Sequence, residues 1–348
     1  MLNKHPFMKY GLYLIGAFLF ASIVQMLINS GTLSSYVAMV ITYMCISVIA
    51  AVSLNLVLGI TGQFSIGHAG FMAIGGYFSA IITKTSLFGI VDRAVFPDII
   101  LFIIALLIGG IIAAFAGFLI GMPTLRLRGD YLGIATLGFG EIIRVLFLNW
   151  QFVGGAAGYS GVPRMSTFVW AFTLAALTVI VIKNYINSSH GRACKSIRED
   201  EIAAETMGIN TTKYKVTAFV IGAFFAGISG ALLVHMLRLA HPTMFTFMLS
   251  VEVLLMVVLG GLGSISGSIA AAVFLTFFSE WFRDFGAVRM IFYSLLMVLI
   301  MLFRPKGLLG SKEISVSLVR QGFNDLREFP DRIKKRFSKN TENGKGVS

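Results

Sequence analysis

Residues 54–77 read "LNLVLGITGQFSIGHAGFMAIGGY", an apolar stretch interrupted by many glycines and a few polar side chains. Glycine allows helices to approach closely, which is a common reason for its frequency in membrane helices. It also accompanies helices that break inside a membrane, where the freed N–H and C=O groups can bind a ligand. A zwitterionic ligand needs such groups, with helix N-terminal N–H groups for its carboxylate and carbonyl oxygens for its ammonium. Close packing and ligand binding both remain open for this stretch.

Apolar runs recur on both sides of this stretch. The chain has 348 residues, of which 57% are hydrophobic and 13% are charged, whereas a soluble domain carries roughly a quarter charged residues. Runs of about 20 residues match the hydrocarbon thickness of a bilayer, so we predict an all-α polytopic membrane protein with about 8–10 transmembrane helices, some broken by glycine. The first run is interpreted as an uncleaved span rather than a signal peptide. The candidate spans are 9–29, 36–59, 65–84, 98–121, 130–149, 168–186, 216–238, 248–263, 267–282 and 288–304.

The segment 248–282 has two interpretations, because each of its two candidate spans is short. It can form two spans, or a re-entrant pair turning at the glycine-rich link "GGLGSISG", residues 260–267.

Lys and Arg predict the orientation of these spans. They concentrate at the N-terminus, at 122–129, at 187–215 and after residue 304, and such enrichment marks cytoplasmic loops, so both termini are predicted to lie inside. The net charge of +12 then belongs to these loops and does not indicate nucleic-acid binding. We predict a transmembrane domain at 1–304 with a cytoplasmic loop at 187–215. A basic cytoplasmic tail follows at 305–348, partly disordered by composition, and it can also touch anionic lipid.

Two glycine motifs resemble each other. "VLGITGQFS" (57–65) and "VLGGLGSIS" (258–266) share Val-Leu-Gly-x-x-Gly-x-x-Ser. Close helix packing explains small residues at both places, and the alternative is a weak internal repeat whose broken helices line a central path. In the predicted topology both copies lie near the inner face. Candidate residues along a substrate path are Asn55, Gly59, Gly62, Gln63, Ser65, His68, Glu252, Gly260, Gly263 and Ser266.

The sequence carries no recognisable catalytic, nucleotide-binding or metal-binding motif. The glycine motifs lack the lysine of a phosphate-binding loop, and the histidines show no metal-ligand spacing. We therefore predict a protein that is not an enzyme, and any ATP that drives it must be bound by another subunit. Cys45 and Cys194 fall in different predicted environments, so a disulfide is not expected. Glu141 and Arg144 stand three residues apart on one helical face, where an ion pair that locks the helix is expected and a role in substrate gating is the alternative.

A charged segment interrupts the apolar chain at 191–210, "GRACKSIREDEIAAETMGIN". On a single helix with about 100° per residue, small and apolar side chains form one stripe that Asp200 alone interrupts. Such a stripe suits a groove on a protein partner, and a short solvated connector is the alternative. The stripe comprises Ala193, Ile197, Ala204, Met207 and Gly208.

These segments together resemble ABC-importer permeases for branched-chain amino acids. The resemblance rests on 54–80, on "TLRLRGDYLGIATLGFGEIIR" (124–144), on "GGAAGYSGVP" (154–163), on 191–233 and on "VLGGLGSISGSIAAA" (258–272). It covers the chain from about residue 40 to residue 305, in order. The Arg-Leu-Arg-Gly-Asp-Tyr segment is similar to the second of the two homologous permease subunits in such importers.

The resemblance implies a permease in the bacterial cytoplasmic (inner) membrane that takes up leucine, isoleucine and valine and has no cofactor of its own. Its partners would be a homologous sister permease, two cytoplasmic ABC ATPase subunits, an external substrate-binding protein and membrane lipid. The importer motif Glu-Ala-Ala-x-x-x-Gly is matched by Ala203, Ala204 and Gly208, whereas Ile202 replaces the glutamate and Glu201 lies one residue early. Urea or short amides are the rival substrates. A stand-alone secondary transporter or channel is a second alternative, and a membrane enzyme or assembly factor is a third.

Overall fold

The computed structural model describes residues 6–84, 97–125, 127, 129–283, 295 and 298. Within these ranges the chain forms eleven α-helices and two short strands. The strands β1 (Tyr159–Ser160) and β2 (Leu239–Ala240) pair in antiparallel register. The helices are α1 (Pro6–Asn29), α2 (Ser35–Asn55), α3 (His68–Lys84), α4 (Asp98–Thr124), α5 (Asp130–Asn149), α6 (Phe168–Asn187), α7 (Ser189–Glu199), α8 (Glu201–Thr206), α9 (Thr211–Leu237), α10 (Phe247–Gly260) and α11 (Ile265–Trp281).

The predicted all-α polytopic membrane fold is confirmed in its main features. Five helical segments in the described ranges are long and apolar enough to cross a membrane: Ser35–Ile60, Asp98–Thr124, Asp130–Asn149, Phe168–Asn187 and Thr211–Leu237. Leu14–Asn29, Phe247–Gly260 and Ile265–Trp281 are shorter apolar helices. The tenth predicted span, 288–304, lies outside the described residues except for Leu295 and Val298, both helical. The predicted tail at 305–348 also lies outside them.

The segment 248–282 forms two helices joined by a tight turn. Helix α10 has 14 residues and α11 has 17, and the two pack against each other. At 1.5 Å per residue α10 is about 21 Å long, which is shorter than the roughly 30 Å hydrocarbon layer. Helix α10 is therefore too short to cross the layer by itself.

The chain breaks between α2 and α3, within the stretch 54–77. Helix α2 continues into one π-helical turn, Leu56–Ile60, and residues 61–67 are then non-helical until α3 begins at His68. This seven-residue segment separates two apolar helices, so the chain between them lacks a continuous helical backbone ladder. The predicted start of this span at residue 65 is three residues early, because residues 65–67 belong to the non-helical segment.

Glycines hold α3, α4 and α9 together at the centre of the bundle. A Cβ atom on Gly75 would overlap the backbone of Gly227 in α9, and one on Gly109 in α4 would lie 2.7 Å from the Gly75 carbonyl oxygen. A Cβ on Gly230 would overlap the Met72 backbone. Helix backbones can touch in this way only where side chains are absent. Several glycines in 54–77 therefore serve helix packing.

Candidate functional site

The two glycine motifs meet at one end of the bundle. The Gly263 N–H donates to the Asn55 side-chain oxygen over 2.9 Å, and a Cβ atom on Gly59 would overlap both of those groups. Gly62 and Gly263 have φ angles of +71° and +88°, which favour glycine. We call Asn55, Gly59, Gly62 and Gly263 the glycine junction, and the end of the bundle where it lies the α7 end.

Arg198 of α7 binds directly to the glycine junction. Its Nη1 donates to the Gly59 carbonyl oxygen over 2.7 Å, and this carbonyl lies in the last turn of a helix, where carbonyl groups lack helical partners. A Cβ on Gly62 would lie 2.9 Å from the Arg198 Cγ, and one on Gly263 would lie 2.9 Å from Nη1. The glycines therefore make room for the arginine stem and its guanidinium group. The sequence contained no signal for this contact beyond a basic residue in the charged loop.

The charged segment 191–210 forms two helices, so the prediction of one continuous helix was wrong. The chain turns at Asp200, whose Oδ1 accepts hydrogen bonds from the Ile202 and Ala203 N–H groups at 2.9 and 3.0 Å. Asp200 is thus the N-cap of α8, and caps of this kind contribute about 1 kcal/mol. This capping role explains why an acidic residue interrupts the apolar stripe of the predicted single helix.

The break also changes which residues face outward. Ile197 and Ala204 were predicted to face a partner, but each is only 4% exposed and packs within this chain. The physical reason is that α7 covers α6, α9 and the π-helical turn, so its apolar side is needed for that contact. Ala193 is half-buried and Gly208 is exposed. The exposed apolar surface instead lies on and just after α8, where Ile202, Ala203 and Met207 are exposed.

A second connection links α8 to the chain beside the junction. Lys215 of α9 forms an ion pair with Glu201 at 2.6 Å. The Gln63 side-chain nitrogen donates to the Lys215 carbonyl oxygen over 3.1 Å. The first residue of α8 is therefore connected through α9 to the non-helical segment that follows Gly62.

Polar groups near the start of α3 pair within this chain. His68 Nε2 lies 2.9 Å from the Ser53 hydroxyl, and Ser65 is buried nearby in sequence. The Ala69 N–H donates to the Ser250 hydroxyl over 2.9 Å. These contacts favour the packing interpretation at His68 over ligand binding.

The remaining candidates lie at separate places. Glu252 lines a groove of about 400 Å³ bordered by Met236 and Glu280, at the opposite end of the bundle from α7. In the second motif, a Cβ on Gly260 would overlap the Gly267 backbone, and the Ser266 hydroxyl lies 3.4 Å from that of Ser264. The structure thus joins Asn55, Gly59, Gly62 and Gly263 closely but does not bring Glu252 to them.

Glu141 and Arg144 form an ion pair along α5, with Arg144 Nε 2.6 Å from Glu141 Oε2. Their side chains are 35% and 25% exposed. The same helix exposes Ile134, Ile142 and Leu146. A partly exposed ion pair on an apolar membrane helix is costly against lipid.

The cysteine thiols are free and buried. Burial raises the pKa of the Cys194 thiol, because the thiolate would lose its hydration. Across the described ranges, no three His, Cys, Asp or Glu side chains gather in a group that could hold a metal ion.

Comparison with known proteins identifies relatives along most of the chain. The family model described as branched-chain amino acid transport system / permease component matches residues 36–303. The high-affinity branched-chain amino acid transport system permease protein LivM of Escherichia coli K12 is 36% identical over 336 residues, covering 86% of this chain and 75% of LivM. Its counterpart LivM in Salmonella typhimurium is 38% identical over 303 residues, covering 77% and 68%. The permease protein LivH of Salmonella typhimurium is 28% identical over 325 residues, covering 85% and 98%. No solved structure gives a significant match.

Proposed function

Because this chain belongs to the family of permease components of branched-chain amino acid transport systems, we propose that it is a transmembrane subunit of an ATP-driven importer in the bacterial cytoplasmic membrane. Its substrates are leucine, isoleucine and valine. The observation that carries the proposal is the exposed apolar surface of Ile202, Ala203 and Met207, on the segment that directly follows α7. This surface suits a protein partner, because scattered charges surround a small apolar patch on a segment outside the long helices.

The partner at this surface is an ABC ATPase. The chain has no phosphate-binding loop of its own, so ATP must be hydrolysed by other subunits. ATP-dependent closure of two ATPases would move α7 and α8, and differential contacts in the two states would shift the conformation of the membrane helices. An external binding protein delivers the substrate and supplies most of its selectivity.

The membrane partner is a homologous sister permease. The relatives include two permease proteins, LivM and LivH, which supports a pair of different subunits. The partly exposed Glu141–Arg144 pair needs a partner surface or water rather than lipid. We infer that this face of α5 borders the sister permease, with the substrate path between the two subunits.

The α7 end faces the cytoplasm, and both termini are cytoplasmic. Lys and Arg in the segment 187–215 support this orientation. Labelling of Met207→Cys tests it, since residue 207 is 82% exposed whereas the native Cys194 is buried with a raised pKa. We expect a membrane-impermeant maleimide to label Met207→Cys at least about 100-fold faster than Cys194, because reaction requires an accessible thiolate.

The expected labelling occurs in inverted membrane vesicles that contain the permease without its ATPases, and not in intact cells. The unmodified chain, which retains Cys45 and Cys194, is the control for background reaction. Labelling of Met207→Cys from outside intact cells would contradict the orientation.

Uptake by the reconstituted importer tests the function. Proteoliposomes that contain this chain, the sister permease and both ATPases, with ATP on the ATPase side and binding protein on the other, are expected to accumulate labelled leucine. Omission of ATP should reduce uptake to the leak rate. Uptake of urea in preference to leucine would favour the amide-carrying alternative. Uptake by this chain alone, driven by an ion gradient and indifferent to ATP, would contradict the proposal in favour of a secondary transporter.

A further inference from the structure

Arg198 contacts both glycine motifs at once. Its guanidinium group donates to Gly59 of the first motif and lies against Gly263 of the second. We propose that Arg198 is the positioning residue that carries displacement of α7 and α8 into the glycine junction. This inference rests on the proposed function and names the residue through which the ATPases act on the membrane helices.

The contact is close enough to transmit small movements. Arg198 donates over 2.7 Å to Gly59, and its aliphatic stem packs on Gly62. Gly59 and Gly263 have no side chain that could move aside between the guanidinium group and the backbone. Packed elements of this kind change between discrete arrangements rather than deforming gradually. A shift of α7 must therefore either break the hydrogen bond to Gly59 or move the turn at the end of α2.

The two turns would move together. Asn55 in α2 accepts the Gly263 N–H of the α10–α11 turn over 2.9 Å, so the ends of both broken segments share one hydrogen bond. The start of α8 is linked independently to Gln63 through Lys215. Arg198 lies before the Asp200 turn and connects α7 to the chain around the junction. The Glu201–Lys215 pair lies after the turn and connects α8 to that part of the chain.

The junction also contains unsatisfied polar atoms. Asn55 Nδ2 and Gln63 Oε1 are buried without a hydrogen-bond partner among the described residues. Buried polar atoms without partners are costly. In a second conformation of the two turns these atoms could form hydrogen bonds, and those bonds would offset the loss of the Arg198–Gly59 hydrogen bond. Such an exchange of hydrogen bonds is what a junction with two conformations requires.

Arg192 provides a matched comparison on the same helix. Like Arg198 it is exposed, but its guanidinium group donates to Asn187, next to its own helix, over 3.2 Å. It carries the same charge as Arg198 but does not reach α2. A general need for positive charge on α7 would involve both residues, whereas the proposed role is specific to Arg198.

The complete importer in proteoliposomes tests the proposal through its ATPase activity with and without leucine-loaded binding protein. We expect Arg198→Ala to assemble and to keep its basal ATPase rate within about 2-fold. Its stimulation by the binding protein and its leucine uptake should fall at least about 10-fold, within the range typical of coupling between sites. Arg198→Lys should recover part of the stimulation, because lysine can donate to Gly59 but lacks the planar fork. Arg192→Ala should behave like the unmodified importer.

The proposal is overturned if Arg198→Ala imports leucine at the unmodified rate, or if the assembled Arg198→Ala importer loses basal ATPase activity as much as it loses uptake. Should Arg198→Ala not assemble, Arg198→Lys decides, since an unchanged ratio of stimulated to basal activity in that variant also overturns it. Failure of the unmodified importer to take up any substrate with ATP would instead contradict the proposed function.

Discussion

An importer that carries Met207→Asp in this chain is expected to lose ATP-driven leucine uptake by at least about 30-fold, the equivalent of about 2 kcal/mol. Met207 is 82% exposed and Ile202 is 64% exposed, so both belong to the surface assigned to the ATPase. A carboxylate in a buried apolar contact loses its hydration without gaining a partner. Disruption of a hot-spot contact costs about 2 kcal/mol or more at such interfaces. Co-purification of the ATPase with affinity-tagged permease, together with uptake, measures the effect.

Thr212→Asp is the matched control for Met207→Asp. Thr212 is also exposed, lies beyond α8 in the first turn of α9, and receives the same new charge at a helix N-terminus, where an acidic residue is favourable. Uptake and co-purification should be unchanged in that variant. The melting temperature of the Met207→Asp permease should also be unchanged, because the side chain does not pack in the core. Normal ATPase binding by Met207→Asp would show that the partner lies elsewhere.

Much of the membrane fold could be predicted because hydropathy acts locally along each helix. The predicted span 130–149 coincides with α5, and the break after α2 followed from glycines and polar residues in an otherwise apolar stretch. Every backbone group in lipid must be paired internally, so a long apolar run leaves few options besides a helix. Short runs are less decisive, as the 14-residue α10 shows.

The charged segment was harder to predict because its contacts are tertiary. A helical wheel assumes one uninterrupted helix and cannot show which face meets the rest of the chain. Asp200 interrupts the helix by capping α8, and α7, which carries the buried Ile197, packs against α6, α9 and the π-helical turn. The Arg198–Gly59 hydrogen bond joins residues 139 positions apart. The periodicity of residues 191–210 does not show which tertiary contacts they make. The prediction therefore partly exchanged the buried and the exposed faces of this segment.

Gly75→Ala is expected to destabilise the folded permease by about 1–3 kcal/mol, even though alanine is the better helix former. The added Cβ would overlap the Gly227 backbone, and the Gly109 backbone lies close to Gly75 on the α4 side. The clash is with backbone rather than with a flexible side chain, so α3 and α9 must separate. Overpacking of this kind typically lowers the equilibrium constant for folding by about 5- to 150-fold, the equivalent of 1–3 kcal/mol. Size-exclusion chromatography of detergent-solubilised permease and its melting temperature measure the loss.

Gly138→Ala separates steric overlap from a general intolerance of glycine substitution. Gly138 lies within α5, and a Cβ atom there would meet nothing within 4 Å, so this variant should fold and melt like the unmodified permease.

The comparison of Gly75→Ala with Gly138→Ala also decides between the two interpretations of residues 54–77. If Gly75 serves packing, Gly75→Ala lowers folded yield and uptake together. A Gly75→Ala permease that folds normally but transports poorly would place this glycine on the substrate path, because a methyl group would then obstruct the ligand rather than the neighbouring helix.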